Sequence, residues 1–208
     1  MMQLMAVHGL TEAVYMESCN ARLSNAYMKL MAEAAEHGFE EDWRRAARTY
    51  REAIALEPDE PLAYLDLGAM LASSGHKVEA AQRYLEAKER LPVGSEDWAC
   101  ATARTFEKLG QEACAEAAKP EWWNDEGLKA LSARVVRAAP NDEVAVSMRA
   151  IVLSGLSGGA WEEGRRSAVE LKEAAAYYEQ AAALYSGPLA KAALTLSAHQ
   201  CRSEAATM

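Results

Sequence analysis

The sequence predicts an all-α protein made of antiparallel helix hairpins, and two observations carry this prediction. Half of the 208 residues are hydrophobic, yet the chain has only 2 Phe and few alternating runs of β-branched residues, which favours helices over strands. The second observation is a period of 34 residues, because Pro58 and Pro92 each end the same phrase, Ala-x3-Tyr-x2-Ala-x4-Pro. A repeat of this length is typical of stacked helical units.

A second motif lies between the two prolines. Tyr64 is followed by two residues, then by Leu67-Gly68, two more residues and Leu71. Together with the proline-ended phrase, this motif resembles the tetratricopeptide repeat (TPR), specifically over residues 41–98 and in degenerate form elsewhere. The resemblance implies a superhelix of antiparallel helix hairpins, an α-solenoid, and we expect about ten helices.

The spacing of the motifs predicts one TPR-like array over residues 1–208, because a hairpin of this kind needs a neighbour to bury its apolar face. The predicted parts are an N-terminal capping helix (1–26), a degenerate repeat (27–60), the well-formed repeat (61–94), an irregular repeat (95–140), and an irregular C-terminal repeat with a capping helix (141–208).

Residue size and backbone preference justify the well-formed hairpin. Gly68 and Ala80 carry little side chain, so two helices can approach closely there, and Tyr84 fills the space beside them. Gly75 stands where a helix ends in a left-handed residue, and Pro61 stands at a first helical position. The sequence therefore predicts a helix-turn-helix unit that begins at Pro61.

Helix signals continue along the rest of the chain. Ser95 and Asn124 are predicted N-caps, and Trp161 is expected to anchor a glycine-rich connector by packing on neighbouring helices. The predicted helices outside the well-formed repeat cover residues 10–36 (ended by Gly38), 41–56, a segment from 96, and 111–118, 125–138, 143–153, 167–184 and 188–203.

Charge and motif content exclude several classes of function. The net charge is −9 and the basic residues are dispersed, which disfavours nucleic acid as a partner. Residues 159–167 superficially match a phosphate loop, but Arg165 replaces the required Lys and no strand precedes it. No histidine or cysteine spacing supports a metal site, and no motif supports a catalytic residue or a cofactor. We therefore expect a protein that is not an enzyme.

Targeting signals and cysteine spacing bear on location. The N-terminus lacks the basic region and apolar core of a signal peptide, and no stretch is long enough to insert in a membrane. The four cysteines lack Cys-x2-Cys spacing and are expected to be buried free thiols. We expect an intracellular, reducing compartment: the cytoplasm, or an organelle reached through a removed targeting peptide.

The TPR resemblance also implies a binding face on the first helix of each hairpin. Transferred to this sequence, the candidate groove positions are Met28, Met31, Leu62, Leu65, Ala69, Ala72, Glu96 and Ala99. They lack the Lys, Asn and Arg that hold a C-terminal carboxylate in chaperone-binding TPR domains. An apolar face of this kind suits a partner helix or apolar peptide, and equally suits burial by the chain's own terminal helices.

Trp122 and Trp123 form a second candidate surface. Adjacent residues do not easily point into one core, so one indole is available to anchor a protein partner. The alternative is that both cover the gap left by the irregular third repeat.

We accordingly expect a non-catalytic protein–protein interaction module, a TPR scaffold or adaptor that binds a partner helix or peptide. The alternative is a permanent structural subunit of a larger multiprotein assembly. A more distant possibility is a carrier of an apolar small molecule.

Overall fold

The computed structural model describes residues 25–156 and 158–208, and these residues form an all-helical fold without a strand. The predicted all-α class is confirmed. The described residues form nine α-helices: α1 (Asn25–Phe39), α2 (Trp43–Leu56), α3 (Pro61–Ser73), α4 (Lys77–Arg90), α5 (Glu96–Leu109), α6 (Asp125–Ala138), α7 (Glu143–Ser154), α8 (Ala168–Leu184) and α9 (Pro188–Thr207). One 3₁₀ helix, Glu112–Cys114, lies between α5 and α6.

The chain divides into two compact units between Pro92 and Val93. The boundary falls at the proline that ends the second copy of the repeated phrase. The superhelical arrangement of one array over residues 1–208 stays a prediction. The predicted N-terminal capping helix lies almost wholly outside the described residues, which include its sequence only from residue 25 onwards.

In the first unit, α1 to α4 follow one another through short turns, and each helix packs on the next. The core holds tyrosines and alanines at the positions of the repeated phrase: Ala46, Tyr50 and Ala53 on α2, and Ala80, Tyr84 and Ala87 on α4 are all buried. The repeated phrase therefore marks the buried face of the second helix in each hairpin.

The α3–α4 hairpin depends on the absence of a side chain at Gly68. A Cβ added there would lie 2.7 Å from Cε1 and 2.8 Å from Cδ1 of the Tyr84 ring, distances that real Cβ atoms essentially never show. Gly75 has a φ of 86°, and Pro61 occupies the first turn of α3, as predicted. The motif thus lets the Tyr84 ring lie directly on the α3 backbone.

Pro58 is the meeting point of the two ends of this hairpin. The Tyr64 hydroxyl donates to the Pro58 carbonyl at 2.9 Å, and the Arg90 Nε donates to the same oxygen at 3.0 Å. The Arg90 guanidinium also lies 4.2 Å from the centre of the Tyr64 ring, a cation–π contact. These contacts bring the start of α3 and the end of α4 to the turn that precedes the hairpin.

In the second unit, α5 packs against both α6 and α7, α6 packs on α7, and α8 lies between α7 and α9. The predicted N-caps are confirmed, because the Ser95 hydroxyl accepts from the Trp98 amide and the Asn124 side chain accepts from the Gly127 amide. Counted from Trp98 in α5 and Tyr64 in α3, Thr102 and Thr105 occupy the positions that Gly68 and Leu71 hold in the regular motif. Both are buried, and each hydroxyl donates to a carbonyl one turn back.

The predicted helix over residues 111–118 is shorter in the structure, where only the 3₁₀ turn Glu112–Cys114 forms. The Lys119 ammonium donates to the carbonyls of Leu109, at 2.7 Å, and Cys114, at 2.8 Å. These bonds satisfy the carbonyls at the end of α5 and of the 3₁₀ turn, so neither helix needs to continue. Helix α1 also differs slightly from its predicted end, since it runs one residue beyond Gly38.

Within the described ranges, no helix combines the length and the apolar character that crossing a membrane requires.

Replacing Gly68 with Ala should destabilise the protein. The added methyl group would overlap the buried Tyr84 ring, and overpacking of this kind costs about 1–3 kcal/mol. The helix propensity of Ala returns at most about 1 kcal/mol. Urea denaturation should therefore show a lower free energy of unfolding for Gly68→Ala. The matched control is Gly38→Ala, because the Gly38 Cβ would meet only the flexible Met70 Sδ at 3.2 Å. An equal loss in both variants would contradict this account.

Candidate interaction surfaces

The predicted groove residues differ in how accessible they are. Met28, Met31, Leu65 and Ala99 are buried, whereas Leu62, Ala69 and Ala72 are partly exposed and Glu96 is exposed. The first six of the eight positions lie on α1 and α3 in the first unit, and Glu96 and Ala99 lie on α5 in the second unit. The predicted groove residues that a partner can reach are therefore Glu96 in the second unit and, in the first, the α3 face formed by Leu62, Ala69 and Ala72.

Trp122 and Trp123 belong to an aromatic cluster in the second unit, which we define as Phe106, Trp122, Trp123 and Trp161. The Trp123 ring lies 5.5 Å from Phe106, 5.8 Å from Trp122 and 6.0 Å from Trp161, measured between ring centres. Phe106 and Trp161 are themselves 5.7 Å apart. Trp123 is the centre of this cluster, and Trp122 touches it from one side.

The aromatic cluster fastens the glycine-rich connector between α7 and α8. The Trp123 indole N–H donates to the Ala160 carbonyl at 2.8 Å, and Trp161 is buried among the rings. The expectation that Trp161 anchors the connector is confirmed. Trp122 and Trp123 are both partly exposed. The contacts of Trp123 give it a structural role, whereas Trp122 lies at the edge of the cluster.

An ion-pair network holds the end of the same connector. The Arg166 guanidinium forms two hydrogen bonds to the Asp125 carboxylate, at 2.6 and 3.0 Å, and donates to the Val152 carbonyl at 3.1 Å. Lys129 pairs with Asp125 at 3.2 Å and with Glu170 at 2.7 Å. The Arg166 side chain is only 6 % exposed. This network joins the starts of α6 and α8 to the end of α7.

The network lowers the pKa of both carboxyl groups. Partial burial raises the pKa of Asp125, but hydrogen bonds from Arg166 and Lys129 outweigh it and lower that pKa from 3.8 to about 2. A hydrogen bond from Lys129, helped by the Ser167 amide, lowers the pKa of Glu170 from 4.5 to about 2. Glu170 and Ser167 also form a capping box at the start of α8. Both carboxylates therefore stay ionised well into the acid range.

A groove of about 430 Å³ lies between α6, α7 and α8, within the volume range of small-ligand sites. The Arg149 guanidinium is fixed at its edge by the Lys129 carbonyl, at 2.9 Å, and by the Glu173 carboxylate, at 3.0 Å. The lining residues are Ala133, Val136, Arg137, Pro140, Arg149, Glu173, Tyr177 and Gln180. This mixed lining suits a polar side chain better than an apolar small molecule.

Three cysteines lie within the described residues, and all three are buried free thiols. Burial raises the pKa of the Cys100 thiol far above its usual range, and the neighbouring Asp142 carboxylate raises it further. Burial also raises the pKa of Cys201. Since the thiolate is the reactive form of cysteine, the raised pKa values keep the Cys100 and Cys201 thiols protonated and unreactive.

Across residues 25–156 and 158–208, no group of three or more potential ligand side chains could hold a metal ion.

The outer face of α9 is a surface that sequence reasoning missed. Leu189 is 86 % exposed and Leu196 is 71 % exposed, and they stand seven residues apart on the same helix face. Their spacing of seven residues, about two helical turns, could have indicated a shared apolar face from the sequence alone. It was concealed by the expectation that α9 is a cap, which normally has a polar outer face.

Stability should fall at acid pH through Asp125 and Glu170. A carboxyl group whose pKa is lower in the folded than in the unfolded chain stabilises the fold above its unfolded pKa and loses that contribution as the pH falls. The loss should therefore develop between about pH 4.5 and pH 2. Urea denaturation over that range should show a flatter acid dependence for Asp125→Asn than for the wild type. An identical slope in the two proteins would contradict a contribution from Asp125.

Truncation of the two adjacent tryptophans should have unequal effects. Trp123→Ala removes three ring contacts and the bond to Ala160, and we expect a loss of roughly 2–4 kcal/mol. Trp122→Ala removes the ring contact with Trp123 at the edge of the cluster and should cost less than Trp123→Ala. Thermal and urea denaturation measure both. Equal losses would mean that both indoles are structural, and loss of partner binding by Trp122→Ala without destabilisation would assign it an anchoring role.

No family model matches this chain. No curated protein matches it either. The resemblance to the tetratricopeptide repeat therefore stays a prediction from the repeated phrase and the motif around Gly68.

Proposed function

We propose that this chain is a non-catalytic protein-interaction module built of TPR-like hairpins. The observation that carries the proposal is the partly exposed α3 face of Leu62, Ala69 and Ala72 on the hairpin whose residues fit the repeat best. Ala69 and Ala72 are small, so the backbone of a partner can come close to them. Leu62 offers an apolar contact two turns away, at the start of α3. A partner helix or an apolar peptide fits such a face.

The titratable groups support a non-catalytic role. Groups with strongly shifted pKa values often mark active sites, but ion pairs and burial that only stabilise the fold shift pKa values as well. Here the strongest shifts have structural causes. The low pKa values of Asp125 and Glu170 come from the connector network, and burial raises the pKa values of Tyr50, Tyr178 and Cys100. The ion pairs of Asp125 and Glu170 stabilise the contacts between helices.

A permanent structural subunit of a larger assembly is the second candidate, and the α9 face favours it. An exposed apolar helix face commonly marks a protein–protein contact. Leu189 and Leu196 are far more exposed than the α3 residues, so a lasting neighbour would gain more by covering them. The two candidates differ in which face binds and in how permanent the contact is.

The proposal predicts that a photo-crosslinking amino acid at Ala69 captures a discrete protein partner in extract from the natural source. Ala69 lies on the accessible α3 face, whereas Leu56 on α2 is 45 % exposed and outside it. The same crosslinker at Leu56 is the matched control and should give no such adduct. Adducts of equal yield at both positions, or none at Ala69, would contradict binding through α3.

Native size in the same extract separates the two candidates. Migration near 22.6 kDa, with an adduct recovered only after crosslinking at Ala69, indicates a transient adaptor. A large complex of fixed composition that resists high salt indicates a structural subunit. Because surface ion pairs are screened by salt, an apolar interface should survive this treatment.

A further inference from the structure

The exposed apolar residues of α9 form a continuous stripe. Its members, which we call the α9 stripe, are Leu189, Ala192, Ala193 and Leu196, and all four are exposed. They occupy relative positions 1, 4, 5 and 8, which share one face of a helix with 3.6 residues per turn. The stripe is therefore a flat ridge with a leucine at each end and two small residues between.

The opposite face of α9 is fixed to its own unit. Ala198, Cys201 and Ala205 are buried in a core shared with α8, and Leu194 packs against it. An ion pair between Arg202 and the Glu179 carboxylate also joins α9 to α8. The helix is thus held in one rotation, and its leucines cannot turn inward without breaking this core.

The α9 stripe is free of charge in a chain that carries a net charge of −9. On the helix face that continues the stripe towards the C-terminus, Gln200 and Ser203 are uncharged, and the exposed His199 and Glu204 border that face. Lys191 stands two residues from Leu189 and so projects to a different side. Two copies of so acidic a chain would repel each other across most surfaces, but along this stripe like-charge repulsion is locally absent.

The order of the stripe residues is the same in both directions. Leu189 and Leu196 are equally distant from the midpoint between Ala192 and Ala193. If two such helices lie antiparallel across a twofold axis at that midpoint, each Leu189 meets the Leu196 of the other copy and the alanines meet at the axis. A twofold interface requires a surface that is complementary to itself, and this pattern satisfies that requirement.

We propose that the occupant of the α9 stripe is a second copy of this chain, paired antiparallel through α9 in a twofold dimer. The small residues at the axis let the helices approach, and the leucines at either end cover one another. The stripe spans two helical turns, roughly 11 Å, so the interface is smaller than a standard one and dissociates on dilution. This dimer is independent of binding through the α3 face, so either proposal can fail without the other. It covers the face that a structural subunit would present to a lasting neighbour, so the dimer and that second candidate exclude each other.

Sedimentation equilibrium of the full chain over a range of concentrations tests the dimer. The wild type should pass from 22.6 kDa to twice that mass as its concentration rises. Leu196→Glu removes one leucine contact at each end of the twofold interface and should weaken association more than about 100-fold. The matched control is Val169→Glu on α8, because Val169 is 73 % exposed but outside the stripe. A monomeric wild type, or equal weakening by Val169→Glu, overturns the proposal.

A charge exchange tests the antiparallel register. Leu189→Lys and Leu196→Glu should each weaken the dimer, whereas the double variant should recover association because each Lys meets a Glu of the other copy. Parallel pairing would place like charges together, so failure of the double variant to recover overturns the antiparallel arrangement. Circular dichroism melts of all the variants show whether the fold is retained, as expected for exposed positions.

Discussion

The second unit depends on the contact between Arg166 and Asp125. A long connector separates α7 from α8, and the buried guanidinium of Arg166 ties the end of that connector to Asp125 at the start of α6 and to the Val152 carbonyl near the end of α7. Removing one partner of such a pair leaves a buried charge without compensation, which costs several kcal/mol. The end of the connector therefore has a fixed position, because one side chain bonds to both α6 and α7.

Much of the first unit could be predicted from sequence because its geometry follows from residue size. Gly68, Tyr84 and Pro61 each fit only one kind of position, so their order along the chain specifies a hairpin. The N-caps Ser95 and Asn124 were predictable for the same reason, since their side chains bond within three residues of themselves. Local rules were sufficient wherever the deciding contact is local.

The remaining features depend on contacts between residues distant in sequence. Lys119 shortens the predicted helix by reaching the carbonyl of Leu109, and Trp123 becomes the centre of the aromatic cluster by meeting Trp161. Accessibility is also a tertiary property, so the motif could place Leu65 on the candidate groove but could not show that it is 2 % exposed. The sequence shows the spacing of the two α9 leucines, but only the burial of the opposite helix face shows that they point outward.

The aromatic cluster gives the molecule an unequal distribution of chromophores. Of its 5 tryptophans, Trp43 lies in the first unit, while Trp98, Trp122, Trp123 and Trp161 lie in the second. Three of those four indoles stand within 6.0 Å of a neighbouring indole, close enough for their excited states to couple. Tryptophan fluorescence and near-ultraviolet dichroism will therefore report mainly on the second unit. A folding transition followed by tryptophan fluorescence therefore describes mainly the second unit, and the first unit contributes through Trp43.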